Sequence, residues 1–591
     1  MSIENHFHLP IYFNKLRKKI NESIIDDLEL VETRDESLKP IYHHFFDLLE
    51  KEEFTDCCVK KSVEYYTTDI DFLKENQELI KKYEPFSLDL NVRSDASDTI
   101  EKINNNNKYE TIQQLWREVK QDTGFKEKYY FIDWPMWEFL NKSETFLQCM
   151  SIYNMTSPII SLLLPIIMLL IPFLIIQIKG LNLTITEYVE VLKILISQHA
   201  IGKIFTEFND VSFQQKFYLI ISTAFYVFSI YQNILLCIRF HQNMSKIHEY
   251  FKEITIYLDF SIKRMDHYLS FSEKLVTQQE FNLILKQKKE ILSDLKEKIG
   301  LITEYKWTIK KTMQIGYILK NFYEIYENVF YEDAFLYSFG FHGYLDCLDG
   351  IKRNLNKKQL HFIDFSTKKK ETTLFKKNYY AALKDKKPVK NTVKLSKNII
   401  ITGPNASGKT TILKSTLINI LLSQQFGCGF YSEGSILKPF DYIHCYLNIP
   451  DTSGRDSLFQ AEARRCKEII DFIKHHNKLE NHFCVFDELY SGTNPEEAES
   501  SAFSFMEYLV KNKNVTTILT THYIQVCEKL KTNKKIMNYK MDIDVVETST
   551  SKEDFTYNYR LTKGISTRKG GRKVLSDMNY PKEIIENVIR Y

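Results

Sequence analysis

Eight consecutive residues, Gly403 to Thr410, constrain the fold of this chain more than any other segment. They read Gly-Pro-Asn-Ala-Ser-Gly-Lys-Thr, the phosphate-loop pattern, and stand between the apolar run at 398–402 and a segment rich in Ile and Leu. A strand, a glycine-containing turn and a helix in that order direct backbone N–H groups and a helix N-terminus at phosphate oxygens. The pattern predicts an α/β nucleotide-binding domain. A chance loop containing a lysine is the alternative.

The residue types in this loop have distinct predicted tasks. Lys409 neutralises the β and γ phosphates of a nucleoside triphosphate, and the Thr410 hydroxyl joins the coordination shell of Mg²⁺. The predicted nucleotide-binding set is Gly403, Asn405, Gly408, Lys409, Thr410 and Thr411. The predicted cofactors are therefore ATP and Mg²⁺.

Two later apolar runs end in residues that fit the same site. Residues 483–486 lead into Asp487, predicted to hold the Mg²⁺ shell, and Glu488, predicted to polarise the attacking water as general base. Residues 515–519 lead towards His522, which we expect at the carboxyl edge of the same sheet as a sensor of the γ phosphate. The alternatives are an acidic loop after a core strand and a structural histidine.

Composition and the alternation of apolar runs with helical patterns indicate the domain organisation of the chain. A chain of 591 residues needs several domains, and its formal charge of +3, from 79 basic and 76 acidic residues, does not by itself indicate a nucleic-acid binder. Ten cysteines without a C-x-x-C spacing indicate neither a zinc cage nor a disulfide framework. Short apolar runs alternate with helical patterns after residue 387, which predicts an ABC-like ATPase domain at 388–591 with a parallel sheet covered on both faces.

Two uncharged segments predict a transmembrane hairpin at 145–239. The first contains 34 residues between Glu144 and Lys179, and the second contains 22 residues between Lys216 and Arg239. Both are long enough to cross a bilayer, with spans at 159–178 and 217–238, and Pro165 and Pro172 are expected to kink the first. The alternative is a buried hairpin in a soluble helical domain.

A hairpin that crosses the membrane twice places the segments before and after it on the same side of the membrane. The charged first twenty residues predict no secretory signal, so we expect a membrane protein whose ATPase domain is cytosolic. Residues 1–144 form a mainly helical region without an assigned role. Residues 203–299 contain no glycine or proline, which predicts long helices in the region 240–387, as a lever or a helical-bundle core.

The C-terminal motifs resemble one family. The loop Thr-Gly-Pro-Asn-Ala-Ser-Gly-Lys-Thr-Thr, the pair Asp487-Glu488, residues 491–494 and the triplet at 521–523 are similar to the ATPase domain of MutS proteins, DNA mismatch-repair clamps related to ABC ATPases. Residues 454–462 resemble the family's Ser-x-Phe-x-x-Glu signature, which implies that Ser457 reaches the γ phosphate bound by the other subunit. Residues 557–588 resemble the dimer-forming end of that domain. The resemblance covers about residues 388–591 and implies a homodimer.

The chain also departs from that family pattern. Pro-Val-Lys-Asn at 388–391 stands where an aromatic residue that stacks on adenine is expected, so the adenine contact is left open. Ser-Gly-Thr-Asn-Pro at 491–495 is a form associated with short, membrane-tethered MutS-like proteins. No mismatch-reading domain is recognisable. Phe-x-Glu at 322–324 mimics the mismatch-reading wedge, but its helical spacing favours a helix core, and the same pattern at 205–207 favours a wedge still less.

Three functions follow from these observations. The leading one is a membrane-tethered, MutS-like ATP hydrolase, a homodimer of the DNA-binding, damage-sensor type whose hydrolysis is coupled to mismatched or structured DNA. The alternative is an ABC-like mechanical ATPase that acts on protein or membrane partners without DNA. A basic cluster in the tail gives thin support for DNA binding, because such a run is more often a solvated face: Lys563, Arg568, Lys569, Arg572 and Lys573. Half of an ABC transporter is disfavoured, because it needs a multi-span pore and a Leu-Ser-Gly-Gly-Gln signature.

Overall fold

The structure, a computed structural model, contains two compact units. It describes residues 3–48, 53–86, 110–180, 184–198, 212–302, 308–368, 371–447, 449, 457–476, 478–547, 553–568 and 570–587. The first unit comprises Met1–Ser87, Arg264–Lys288 and Phe335–Tyr591, and the second comprises Leu88–Lys263 and Lys289–Ala334. Each unit combines separate stretches of the chain. The four consecutive regions inferred from the sequence stay a prediction.

Helices and strands alternate in the C-terminal half, whereas the first half is mainly helical. The α-helices are Glu22–Asp27, Ile41–Phe45, Glu53–Ser62, Ile70–Lys82, Glu110–Lys120, Phe125–Lys128, Glu144–Ile178, Ile185–Gln198, Phe213–Ser272, Gln279–Gly300, Ile309–Thr312, Ile315–Glu327, Val329–Asn356, Lys409–Phe426, Leu458–His475, Pro495–Leu509, Ile524–Leu530, Gly571–Asp577 and Lys582–Asn587. The strands are β1 (Arg17–Lys19), β2 (Tyr65–Thr67), β3 (His361–Phe362), β4 (Asp364–Phe365), β5 (Leu374–Asn378), β6 (Asn391–Lys394), β7 (Asn398–Thr402), β8 (Cys428–Gly429), β9 (Ile436–Leu437), β10 (Tyr442–Tyr446), β11 (His482–Asp487), β12 (Val515–Thr521), β13 (Ile536–Glu547) and β14 (Glu553–Lys563).

A six-stranded sheet in the first unit confirms the predicted α/β character. Its strand order is β10-β11-β12-β7-β13-β14. The first five strands are parallel, and β14 pairs with β13 in the antiparallel direction. All five residues of β7 are buried, as expected for a strand covered on both faces. A second sheet, of order β4-β9-β5-β6, lies in the same unit.

The helix Lys409–Phe426, which follows the phosphate loop, is buried along most of its length. Its polar residues therefore need partners inside the protein. Gln424 Nε2 donates to the Thr67 carbonyl at 3.1 Å, and Gln425 Nε2 donates to the carbonyls of Ser62 at 2.6 Å and Tyr65 at 2.8 Å. The N-terminal stretch of the first unit is thus hydrogen-bonded to the end of this helix.

The second unit is built from helices around an aromatic core. Phe322 is fully buried in the helix Ile315–Glu327, and its ring lies 5.2 Å from that of Phe125 and 4.9 Å from that of Tyr129. This confirms that residues 322–324 belong to a helix core. Residues 205–207, which carry the second Phe-x-Glu pattern, lie outside the described residues.

The two predicted spans belong to this unit and lie within two long helices. Residues 159–178 fall in the helix Glu144–Ile178, whose helical backbone continues through Pro165 and Pro172, and residues 217–238 fall in Phe213–Ser272. The two helices are joined by hydrogen bonds from Tyr226 Oη to the Ser161 carbonyl at 3.0 Å and from Asn233 Nδ2 to Ser161 Oγ at 2.6 Å. Within the described part of the chain, one helix, Phe213–Ser272, is long and apolar enough to cross a membrane by length and composition.

Candidate active site

The predicted site residues other than Ser457 meet at the carboxyl edge of the six-stranded sheet. β12 lies between β7, which leads into the phosphate loop, and β11, which ends in the acidic pair. Asp487 is in register with Thr520, and Thr521 is in register with Thr402. Parallel strands end at the same edge, so Gly403, Asp487 and His522 are neighbours there.

The phosphate loop has the backbone form that anion binding needs. Ala406 and Gly408 have φ values of 62° and 92°, in the left-handed region that successive inward-facing N–H groups require. Lys409 Nζ donates to the carbonyls of Gly403 at 3.2 Å and Pro404 at 3.3 Å. The Ser407 hydroxyl is buried and has no hydrogen-bond partner among the described residues, which leaves it free to donate to a phosphate oxygen. Asn405 is exposed at the tip of the loop.

The two residues predicted to hold Mg²⁺ lie next to each other. Thr410 Oγ1 donates to Asp487 Oδ2 at 2.9 Å, and the other carboxylate oxygen, Oδ1, accepts from the Thr520 hydroxyl. A hydroxyl and a carboxylate at this position are oxygen ligands of the kind that Mg²⁺ takes together with phosphate oxygens. The residues present therefore fit a Mg²⁺–nucleotide.

Lys409, Glu488 and His522 form one polar cluster. His522 Nε2 lies 2.8 Å from Glu488 Oε1 and 3.1 Å from Lys409 Nζ, and Lys409 Nζ lies 4.0 Å from Glu488 Oε1. The hydrogen bond from His522 lowers the pKa of the Glu488 carboxyl, and the charge of Lys409 acts in the same direction. Burial lowers the pKa of Lys409. Glu488 is therefore ionised at neutral pH, as a general base must be.

The backbone of Glu488 is in an uncommon conformation. Its φ is 51°, and that of Tyr490 is 60°, so two non-glycine residues in three adopt left-handed geometry directly after the strand β11. Such residues persist only where surrounding contacts hold them, and they are frequent at functional sites. The loop after the acidic pair is accordingly held by its neighbours.

A cavity of about 630 Å³ adjoins the phosphate loop and contains residues that sequence reasoning missed. Thr411 lines it together with Val389 and Tyr559. Tyr559 lies against the loop, since a Cβ added at Gly408 would come within 3.3 Å of its ring. Asn391 donates to the Tyr559 carbonyl at 2.9 Å and accepts from the Leu561 amide at 2.8 Å, which fixes the strand at this point.

These residues answer the question left open at 388–391. The cavity has the size of a small-molecule site, and its aromatic lining residues are Tyr559 of β14 and Tyr379 and Tyr380, which lie between β5 and β6 and outside the segment 388–391. The one sequence signal for Tyr559 is its place in the tail segment 557–588. No spacing rule connects Asn391 with a tyrosine far along the chain.

Ser457 lies apart from the cluster of its own chain. It is exposed and caps the helix Leu458–His475 in a capping box: Ser457 Oγ accepts from the Gln460 amide at 3.3 Å, and Gln460 Oε1 accepts from the Ser457 amide at 3.0 Å. Residues 454–456 of the same signature lie outside the described residues. The structure therefore gives Ser457 an exposed helix N-terminus and no contact with Lys409 of the same chain.

Comparison with known proteins identifies the C-terminal region. The family model described as MutS domain V matches residues 399–590. The chain is 30% identical over 209 residues to the DNA mismatch repair protein MutS of Prochlorococcus marinus (strain AS9601), an alignment that covers 34% of this chain and 22% of that protein. It is 29% identical over 202 residues to Endonuclease MutS2 of Staphylococcus carnosus (strain TM300), covering 33% of this chain and 24% of that protein. It is 30% identical over 206 residues to MutS protein homolog 4 of Homo sapiens, covering 34% and 21%. The chain thus spans about a fifth to a quarter of the length of the curated relatives it matches.

Proposed function

We propose that this chain, a member of the MutS family whose residues 399–590 match MutS domain V, binds ATP with Mg²⁺ and hydrolyses it at composite sites of a homodimer. The observation that carries the proposal is the cluster of Lys409, Glu488 and His522 beside the Thr410–Asp487 pair. A phosphate-binding cation, an ionised base and a sensor at one sheet edge are the groups that ATP hydrolysis requires.

The residues have separate tasks in this reaction. The loop N–H groups and Lys409 bind and orient the phosphates, and Glu488 accepts a proton from the water that attacks the γ phosphate. His522 holds the Glu488 carboxylate by its hydrogen bond. The adenine of ATP binds on the Tyr559 side of the cavity. When bound by Thr410 and Asp487, Mg²⁺ supplies charge neutralisation at the phosphate oxygens.

Two substitutions test the assignment. Lys409→Ala should weaken ATP binding about tenfold or more, because it removes a buried charged hydrogen-bond donor to phosphate. Glu488→Gln should retain ATP but lower kcat about a hundredfold or more, the usual scale for loss of a general base. Lys397→Ala and Glu496→Gln, at exposed positions nearby, are matched controls expected to behave like the parent. Normal turnover in Glu488→Gln would remove Glu488 from the mechanism.

Membrane anchoring through the helices Glu144–Ile178 and Phe213–Ser272 is a second part of the proposal. Large apolar side chains are exposed on both helices, among them Leu162 and Ile171 on the first and Phe225 and Phe228 on the second. The polar Tyr226, Asn233 and Ser161 instead bond between the helices. Apolar residues outward and polar groups paired inward are the arrangement that a bilayer favours. The ATPase domain would then be cytosolic.

DNA is the proposed ligand because the relatives are named for DNA mismatch repair. The second candidate, a mechanical ATPase acting on membrane or protein partners without DNA, is favoured by the exposed apolar helices. A salt titration of binding to homoduplex, heteroduplex and branched DNA separates the two, since phosphate contacts make affinity fall steeply with salt. Absence of binding at low salt would favour the second candidate.

A further inference from the structure

We propose that Glu462 is a positioning residue. It links the position of Glu488, which acts at the subunit's own ATP site, to that of Ser457, which acts at the partner's site. This inference rests on the proposed function and concerns the regulation of that site. Glu462 lies on the helix that begins after Ser457, and it bonds to the loop that follows Glu488.

The carboxylate of Glu462 is only 2% exposed and accepts hydrogen bonds from two adjacent residues of this loop, and the Tyr446 phenol also lies within hydrogen-bonding reach of it. Glu462 Oε1 accepts from the Ser491 amide at 3.1 Å and from the Ser491 hydroxyl at 2.9 Å. Glu462 Oε2 accepts from the Gly492 amide at 3.1 Å. A buried carboxylate is stable only with such donors, so removing its charge or its acceptors frees the loop.

Close packing adds to these hydrogen bonds. A Cβ at Gly492 would come within 2.7 Å of Leu458 Cγ and 2.8 Å of the Phe459 amide nitrogen, so the loop touches the first turn of the helix at a point where only glycine fits. The ring of Tyr490 lies 5.6 Å from that of Phe459. The Tyr490 amide donates to Tyr446 Oη at 3.4 Å.

These contacts connect the loop after Glu488 with the helix that Ser457 caps. Glu488 and Tyr490 hold left-handed backbone conformations, and Ser491 and Gly492 follow directly, bound to Glu462. Ser457, five residues before Glu462, caps the N-terminus of this helix. Because the loop and the first helical turn are held together at Glu462 and Gly492, a shift of one displaces the other. The nucleotide state of a subunit's own ATP site thereby changes the position of its Ser457, which acts at the partner's site.

The first test compares Glu462→Gln with Glu468→Gln, an exposed position on the same helix. Glutamine at 462 replaces an acceptor with an N–H₂ donor that faces a backbone N–H donor, so it releases the loop with little change in volume. We expect kcat to fall about tenfold or more while KM for ATP stays within about threefold, because the phosphate loop is untouched. If Glu462 had a purely structural role, the substitution would instead lower the melting temperature without lowering kcat at a nearly unchanged KM. A kcat within twofold of the parent in a folded Glu462→Gln protein would overturn the proposal.

The second test asks whether one residue serves both sites, and it uses mixed dimers of the full chain. Glu462→Gln is mixed with an excess of Lys409→Ala or of Ser457→Ala. A residue that positions only Ser457 would be rescued by the first partner, and one that positions only Glu488 would be rescued by the second. We expect rescue by neither, and rescue by either would overturn the coupling. The reference mixture of Lys409→Ala with Ser457→Ala reports separately on whether one intact composite site acts alone. Without rescue there, the two sites must act together, and the kcat comparison alone decides the role of Glu462. Absence of ATP hydrolysis by the parent protein would count against the proposed function itself.

Discussion

The pKa of Glu488 is lowered by a residue that follows another strand. The carboxylate follows β11, whereas His522, whose hydrogen bond lowers the Glu488 pKa, follows β12. The hydrogen bond and charge of His522, together with the charge of Lys409, outweigh the partial burial of Glu488, which on its own would raise this pKa. The histidine therefore extends the pH range over which the base is ionised.

His522→Ala should shift the acid limb of the kcat/KM profile to higher pH. The folded-state pKa of Glu488 is lowered in the parent, so the active, ionised form persists to lower pH, and loss of the hydrogen bond returns the pKa towards its ordinary value. ATP hydrolysis measured from acid to neutral pH checks this. His475→Ala, at the end of the helix Leu458–His475, is the control and should leave the profile unchanged. An unshifted acid limb in His522→Ala would show that Glu488 is held by other groups.

Sequence reasoning predicted the residues of the cluster better than the residues that hold it in place. Glu488 and His522 stand close to the ends of apolar runs, Lys409 closes the loop that follows a third such run, and parallel strands bring such positions to one edge. Glu462 and Asn391 act through partners far along the chain, at Ser491 and at Tyr559. No periodicity or spacing marks such pairs, so the structure was needed to find them.

At the scale of elements, the apolar runs predicted β7, β11 and β12 but not their order. The placement of β12 between the other two brings His522 next to Glu488, and a sequence without pairing information does not specify it. The same limit applies to the end of the helix Lys409–Phe426. Gln424 and Gln425 there look like a solvent-facing pair, yet both are buried against carbonyls of the N-terminal segment.

The paired helices Glu144–Ile178 and Phe213–Ser272 lead to a prediction about the membrane. The full chain should remain in the membrane fraction after extraction at high pH and leave it only with detergent, since exposed apolar helices partition into lipid. Replacing the exposed Phe217, Phe225 and Phe228 by serine should weaken this retention, whereas replacing the exposed Phe472 in the first unit should not. Recovery of the full chain in the soluble fraction without detergent would favour the buried-hairpin alternative.

The side of the membrane is tested with one cysteine in the segment that connects the two spans and one in the ATPase domain. In a Cys149→Ser background, Glu190→Cys on the helix Ile185–Gln198 should react with an impermeant thiol reagent only from the side opposite to the ATPase domain. Glu496→Cys, on the helix Pro495–Leu509, should react only from the cytosolic side. Both should react in detergent. Labelling of both positions from one side would exclude a spanning hairpin.

At the scale of the whole molecule, the position of Ser457 is the observation that supports the proposed partner subunit. Ser457 is exposed at a helix N-terminus, and in the described residues it contacts none of the cluster around Lys409. A helix N-terminus carries partial positive charge and free N–H groups, which suits the γ phosphate of a nucleotide bound to a second subunit. In the proposed head-to-tail dimer, each of the two sites contains Lys409 from one subunit and Ser457 from the other.

Ser457→Ala should leave ATP affinity nearly unchanged but suppress hydrolysis, because its hydroxyl acts only in the assembled site. Lys409→Ala should be inactive for the separate reason that it binds ATP poorly. In a mixture, a heterodimer carries both lesions in one site and keeps an intact Lys409 and Ser457 in the other, so turnover should rise above that of either variant alone, towards half the parental rate per heterodimer. Normal turnover by monomeric Ser457→Ala would reject the composite site. A mixture without rescue, measured where subunit exchange is demonstrated, would show instead that the two sites must act together, as a coupling free energy between them requires.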